Sequence, residues 1–249
     1  MAYLDRVNKA LIASNGSAAN MKAATTYPLN AGELAYSTDT KQLYVGTDPA
    51  TGGSFHRVLT LTNDTWFDDI RVEPTVMGTG TKSPVYTVWT PSGGSASGLY
   101  FYLFDNAIAI QEKEVNFKLQ MPHGKLLGSV IHLHVHWMPT STGSAGDKVR
   151  WGLEYSKANP NGVFAAPGAF IYATDPINPP STTPTQDTHY ITEFTDINMT
   201  GDALSTILMC RLFRNSSDAA DTFAGDVGLL YIDAHVEMTK LGSDSEYTQ

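Results

Sequence analysis

Apolar and polar residues alternate over short runs along most of this chain, and that alternation predicts a protein built from strands. From Trp66 onward ten such runs follow one another: TWFDDIRV, PVYTVW, GLYFYLF, VNFKLQM, SVIHLHVHW, VRWGLEY, AFIYAT, HYITEFTDI, STILMCRLF and LLYIDAHVEM. Stretches of Gly, Pro, Ser, Asn and Thr separate them, and sustained helical periodicity is absent. This pattern predicts an all-β, jelly-roll-like β-sandwich. In ILMCRLF the alternation puts Leu208, Cys210 and Leu212 on one face, which reads as buried.

The chain before Trp66 reads differently. Leu4, Val7 and Leu11 fall at helical spacing ahead of the breaker Asn15-Gly16-Ser17, predicting one short amphipathic helix. A helix that short is marginal alone in water, so its apolar side is expected to dock. Residues 27–61 form a second unit, in which Glu33-Leu34-Ala35-Tyr36 and Gln42-Leu43-Tyr44-Val45-Gly46 flank a polar turn. That is a β-hairpin signature. A lone hairpin buries too little surface to be stable, so this unit needs partners. The organisation expected is a small N-terminal unit over residues 1–61 and a sandwich domain over residues 62–249.

Composition narrows the function. Charged residues make up only 16% of the chain, below the roughly 25% of ordinary soluble domains, and uncharged polar residues fill the difference. Such surfaces suit extracellular or virion proteins with wide contacts. Twenty-five acidic against 16 basic residues give a formal net charge of -9. No basic stripe is available for a phosphate backbone, so nucleic acid is not an expected partner. Asp5, Arg6 and Lys9 occupy the place of a signal peptide's apolar core, and no run is long enough for a membrane helix. The expectation is a protein made and kept in a cytosol or released by lysis, with no membrane partner. A single cysteine, Cys210, excludes an intrachain disulfide framework and leaves stability to packing and assembly.

The sharpest local feature is IHLHVHW. His132, His134 and His136 share one strand face, and Leu133, Val135 and Trp137 share the other. The outer two imidazoles start about 13 Å apart at roughly 3.3 Å per residue, so all three cannot converge on one metal. Two can, with a further ligand from elsewhere making an open catalytic site, which is the minor alternative of a metal-dependent enzyme using this strand. A second polar-faced strand, YIDAHVEM, sets Tyr231, Asp233, His235 and Glu237 opposite Ile232, Ala234, Val236 and Met238. If the two strands pair, histidines and carboxylates interleave. The reading adopted is a hydrogen-bonded polar face or subunit interface formed by His132, His134, His136, Asp233, His235 and Glu237, with no metal or other cofactor assigned. Clustered imidazoles would also make such a face sensitive to pH.

The case for catalysis is thin, and no catalytic residue is assigned. There is no phosphate-binding Gly-rich loop, no G-x-S-x-G and no H-E-x-x-H. Asp68-Asp69 and Glu112/Glu114 read as exposed strand or loop acids. Tyr100, Phe101, Tyr102 and Phe104 are candidates for stacking on a sugar, with half or more of them expected to pack inward. Residues 175–187 contain four prolines and read as a surface loop. Together with residues 139–147 they are the loops available for surface contacts, a glycan among them.

The segment GELAYSTDTKQLYVGTD resembles the hairpin near the start of many phage fibre, tropism and virion structural proteins. The chain beyond it, through WFDDIRV, GLYFYLFD, LQMPHG, HVHWMP, VRWGLEYSKAN, the Asp221-Thr222-Phe223 turn and YIDAHVEMTKLGS, resembles a family of tailed-phage structural proteins. The resemblance implies a non-enzymatic virion component, a fibre, spike or decoration protein on head or tail. Residues 1–61 would be the attachment and oligomerisation unit, with Gly32, Glu33, Leu34, Tyr36, Leu43 and Tyr44 making the virion contact. The implied partners are further copies of the chain in a homotrimer, and other proteins of capsid, neck or tail.

Overall fold

The computed structural model describes residues 65–72, 83–96, 98–106, 113–168, 170–174, 176–178, 183–239 and 242, together with the backbone of three strands nearer the N-terminus. The helix predicted around Leu4, Val7 and Leu11 lies outside the described residues. The chain divides into two units, Met1–Thr65 and Trp66–Gln249.

In the first unit, β1 (Leu34–Tyr36), β2 (Leu43–Gly46) and β3 (Phe55–Val58) form an antiparallel sheet in that order. The β1–β2 pairing sets Leu34 opposite Val45 and Tyr36 opposite Leu43, the two strands expected from the GELAY and QLYVG runs. The third strand, FHRV, follows a Gly-rich stretch and was not expected.

The second unit is a β-sandwich of two antiparallel sheets. One contains β7 (Glu114–Gln120), β9 (Trp151–Ala158), β10 (Ile171–Ala173) and β13 (Ile207–Arg214), in the order β10-β9-β13-β7. The other contains β4 (Trp66–Val72), β5 (Val85–Val88), β6 (Tyr100–Phe104), β8 (Ile131–Pro139), β11 (Pro176–Asn178), β12 (Tyr190–Glu193) and β14 (Val227–Met238). Its order is β11-β12-β8-β14-β6-β5, with β4 also paired to β14. Each of the ten runs read from the alternation overlaps one of these strands. The proline-rich segment contributes β11, a strand of three residues at the sheet edge. An edge is where proline is tolerated, since its missing N–H costs no ladder bond there.

The core lies between the sheets. Val115, Phe117 and Leu119 of β7 and Leu208, Cys210 and Leu212 of β13 meet Leu133, Val135 and Trp137 of β8 and Ile232, Ala234 and Val236 of β14. Trp151 bridges the layers, with its ring centroid 5.3 Å from Phe104 and 6.5 Å from Trp137. Burying each such side chain contributes about 1.5–3 kcal/mol relative to leaving it in water. Close backbone approaches need two glycines: a Cβ on Gly152 would strike the Phe213 ring beside it, and one on Gly228 would stand 2.7 Å from Phe101.

A β-bulge at Leu230 resets the alternation in β14, because Leu229 pairs with Trp137 and Tyr231 with His136. Two residues oppose one there. Val227 and Leu229 are therefore buried together with Ile232, Ala234 and Val236, despite the change of parity, and Leu230 is exposed. The bulge fixes which side chains of YIDAHVEM face away from the core.

Candidate functional site

The polar face of β8 has its counterpart in β14. Antiparallel pairing sets His132 opposite His235, His134 opposite Asp233 and His136 opposite Tyr231, and cross-strand partners share a face. Flanking strands extend it: Glu193 of β12 is opposite His134, while Asp69 and Arg71 of β4 are opposite His235 and Asp233. The structure thus brings together five of the six residues singled out on this face. Glu237 lies beyond them, opposite Phe67.

The contacts form a chain. His132 Nδ1 is 2.8 Å from Asp196 Oδ1 and 3.5 Å from Glu193 Oε1. His134 makes a hydrogen bond of 3.2 Å from Nε2 to Glu193 Oε2, and its Nδ1 stands 3.3 Å from Asp233 Oδ1. His136 Nε2 is 3.3 Å from Asp233 Oδ2, and its Nδ1 is hydrogen-bonded to His189 Nε2 at 2.8 Å. His235 Nε2 is 2.9 Å from Asp69 Oδ1 and 4.0 Å from Asp233 Oδ2. The His134 and His235 rings stand edge to face with centroids 4.2 Å apart.

Burial is greatest at the centre, where His134 is 6% and Asp233 7% exposed. Burial alone would lower the His134 pKa, but the contacts and negative charges of Asp233 and Glu193 outweigh it, and the net shift is upward. Asp233 moves the other way. Burial would raise its pKa, and the neighbouring His134 and His136 outweigh that and hold the carboxyl well below the usual carboxylate range. His189 is lowered, first by its partial burial and then by the charge of His136. Two buried atoms of this cluster, Asp233 Oδ1 and His136 Nε2, have no hydrogen-bond partner. Their 3.3 Å contacts are close in distance but lack the direction of a hydrogen bond.

The sequence reading did not include Asp69, His189, Glu193 or Asp196 in this face. Asp69, read as a plain strand acid, stands against His235. In HYITEF the buried Tyr190, Thr192 and Phe194 alternate with His189, Ile191 and Glu193. That signal was legible, but only the tertiary pairing shows that β12 borders β8.

Among the described residues, two groups have the composition of a metal site: His134, Asp233 and His235, and the more exposed His132, Glu193 and Asp196. In each, one ligand atom per residue lies within 4.8 Å of the others.

The candidate aromatics divide. Phe101 and Phe104 are buried. Tyr100 is 56% exposed and stacks on Tyr86, itself 62% exposed, with centroids 5.3 Å apart, and Tyr102 leans on Tyr86 at 5.0 Å. Residues 139–147 and the described part of the 175–187 segment are bonded to each other through Gly143 N to Pro184 O and Gln186 N to Thr142 Oγ1. Asp187 accepts from Trp89 Nε1 at 2.9 Å and from Ser92 N at 2.7 Å.

Residues 15–47 match the model of the major tropism determinant N-terminal domain, a phage-related domain. The match covers 33 of the 249 residues. No match is found among curated protein sequences. Among solved structures, TmCBM61 in complex with beta-1,4-galactotriose is 11% identical with a TM-score of 0.26, covering 69% of this chain and 87% of that one. A xylan-binding domain from CBM 22 is 12% identical with a TM-score of 0.26, covering 66% and 91%. A structure concerning carbohydrate-binding modules of the β-sandwich superfamily is 11% identical with the same TM-score, covering 78% and 70%.

Proposed function

We propose that this protein is a non-enzymatic structural component of a tailed-phage virion, a homotrimeric fibre, spike or decoration protein. In this reading residues 1–61 attach it to the particle and the sandwich projects outward. The observation that carries the reading is the tropism-determinant match over residues 15–47, which spans the paired strands β1 and β2. Gly32, Glu33, Leu34, Tyr36, Leu43 and Tyr44 are the residues assigned to the virion contact. Closed symmetry is the common arrangement for identical copies that assemble through one surface. The test is to image particles carrying a labelled copy and to measure the mass of the purified chain by light scattering. Label at a regular position on the virion and a trimeric mass are expected. Absence of label from intact particles would overturn the virion assignment, and a monomer at micromolar concentration would overturn the trimer.

A second reading, recognition of a host surface glycan, is favoured by the exposed Tyr86–Tyr100 stack. Ring faces pack on the apolar faces of sugars, and two adjacent exposed tyrosines are a costly use of apolar surface if nothing covers them. Replacing both with alanine is expected to reduce adsorption of particles to host cells. Unchanged adsorption with the variant incorporated normally would remove this reading.

A further inference from the structure

We propose that His134, Asp233 and His235 form a binding site for a divalent transition-metal cation, zinc above all, which clamps β8 to β14 on the face of the sheet away from the core.

The argument begins with the protons. His134 Nε2 is hydrogen-bonded to Glu193 Oε2, which in a neutral imidazole places the proton on Nε2 and leaves a lone pair on Nδ1. That lone pair faces Asp233 Oδ1 at 3.3 Å. The carboxylate oxygen is buried and has no hydrogen-bond partner. Two electron-rich atoms so placed call for a cation between them. A proton on His134 answers for this pair alone. A metal answers also for the third group, because His235 Nε2 lies 4.0 Å from Asp233 Oδ2 and the two rings are perpendicular neighbours.

The donor set fits the ion. Two imidazoles and one carboxylate are zinc ligands, and three protein ligands leave a fourth position for water. The ligand atoms stand within 4.8 Å of one another, against about 3.4 Å for the edge of a tetrahedron with zinc bonds of about 2.1 Å. Side-chain rotation of about an ångström closes the difference. One outer partner is in place: Glu193 holds His134 through the opposite ring nitrogen, as metal-bound histidines are commonly held, while His136 Nε2 stands 3.3 Å from the second Asp233 oxygen without a hydrogen bond. Asp69 Oδ1 stands 2.9 Å from the same His235 Nε2, so a metal bound there displaces to solvent the proton that this nitrogen shares with Asp69 and keeps the carboxylate as nearby negative charge; the cation opposite Asp233 on β4, Arg71, is exposed. The second group, His132, Glu193 and Asp196, is the weaker site. It has one imidazole, greater exposure and a Glu193 already engaged by His134.

The experiment titrates the chelator-stripped full chain with zinc chloride by calorimetry, and with cobalt(II) chloride while recording the visible spectrum. One equivalent of each, the intense absorption of low-symmetry four- or five-coordinate cobalt and a rise in Tm reversed by chelator are expected. His235→Gln alters a half-buried side chain and is expected to keep the fold while weakening zinc by at least about tenfold; His132→Gln is expected to leave affinity unchanged. Asp233→Asn is the second variant, read the same way, with circular dichroism reporting its fold. No stoichiometric binding to the wild type would overturn the proposal. So would binding that survives His235→Gln and is lost in His132→Gln, which would move the ion to the other group. The outcome is independent of where the protein sits on a particle.

Discussion

His136 and His189 stand face to face across the β8–β12 pairing, Nδ1 to Nε2 at 2.8 Å, with ring centroids 5.0 Å apart. One proton serves the contact. Donated from His189 Nε2, it leaves Nδ1 of His136 as acceptor and puts the second proton of the pair on His136 Nε2, toward Asp233.

A pH dependence follows. The His189 pKa is lowered from its ordinary value of 6.5, so between the two values the unfolded chain holds more protons than the folded one. The stability contributed by neutral His189 is present above the unfolded value and is lost as pH falls through the lowered one. The groups facing the pair are Asp233 and the Tyr231 ring, 6.2 Å from His136. Between about pH 7 and pH 5, His189→Gln is expected to lose less Tm than the wild type. Parallel Tm curves for the two proteins would show that the contact does not titrate.

Asp221 is expected to be among the most costly surface-loop residues to replace. Its carboxylate receives Arg214 Nε at 2.9 Å and Nη2 at 2.8 Å, with both side chains fully buried. Arg214 also donates to the carbonyls of Phe223 at 2.6 Å and Gly225 at 2.7 Å, which fastens the turn before β14. Asp221→Ala leaves a buried guanidinium without its counter-charge, at a cost of about 3–5 kcal/mol. Urea unfolding measures it, and a loss below about 1 kcal/mol would contradict the burial described.

Gly152→Ala tests the sheet register. The added methyl would strike the Phe213 ring on the neighbouring β13, where the two residues are direct partners. Overpacking of this kind costs about 1–3 kcal/mol, and thermal unfolding should show it. A neutral substitution would mean that Phe213 is placed elsewhere.

Cys210 is expected to be unreactive in the native protein. Burial pushes its thiol up to about 12, and the reactive species is the thiolate. Ellman's reagent should find no thiol in the folded chain and one per chain in denaturant. Rapid native labelling would place Cys210 outside the core.

The sequence by itself determined the strands, because side-chain direction in a strand is a local property that repeats every two residues. It was enough to mark Leu208, Cys210 and Leu212 as core and to put His132, His134 and His136 on one face, and the short motif at residues 32–48 resembled phage proteins where the family match over residues 15–47 also falls. Which strands become neighbours is a non-local choice made by packing and register, and there the tertiary structure decided. Pairing β8 with β14 made two separate polar faces into one, and the bulge at Leu230 set which residues of β14 belong to it. Only that pairing, with β4 and β12 at the flanks, carried Asp69 to His235 and Glu193 to His134, 59 residues away along the chain. The charge environment of the histidines, and with it the proposed metal site, depends on those distant carboxylates.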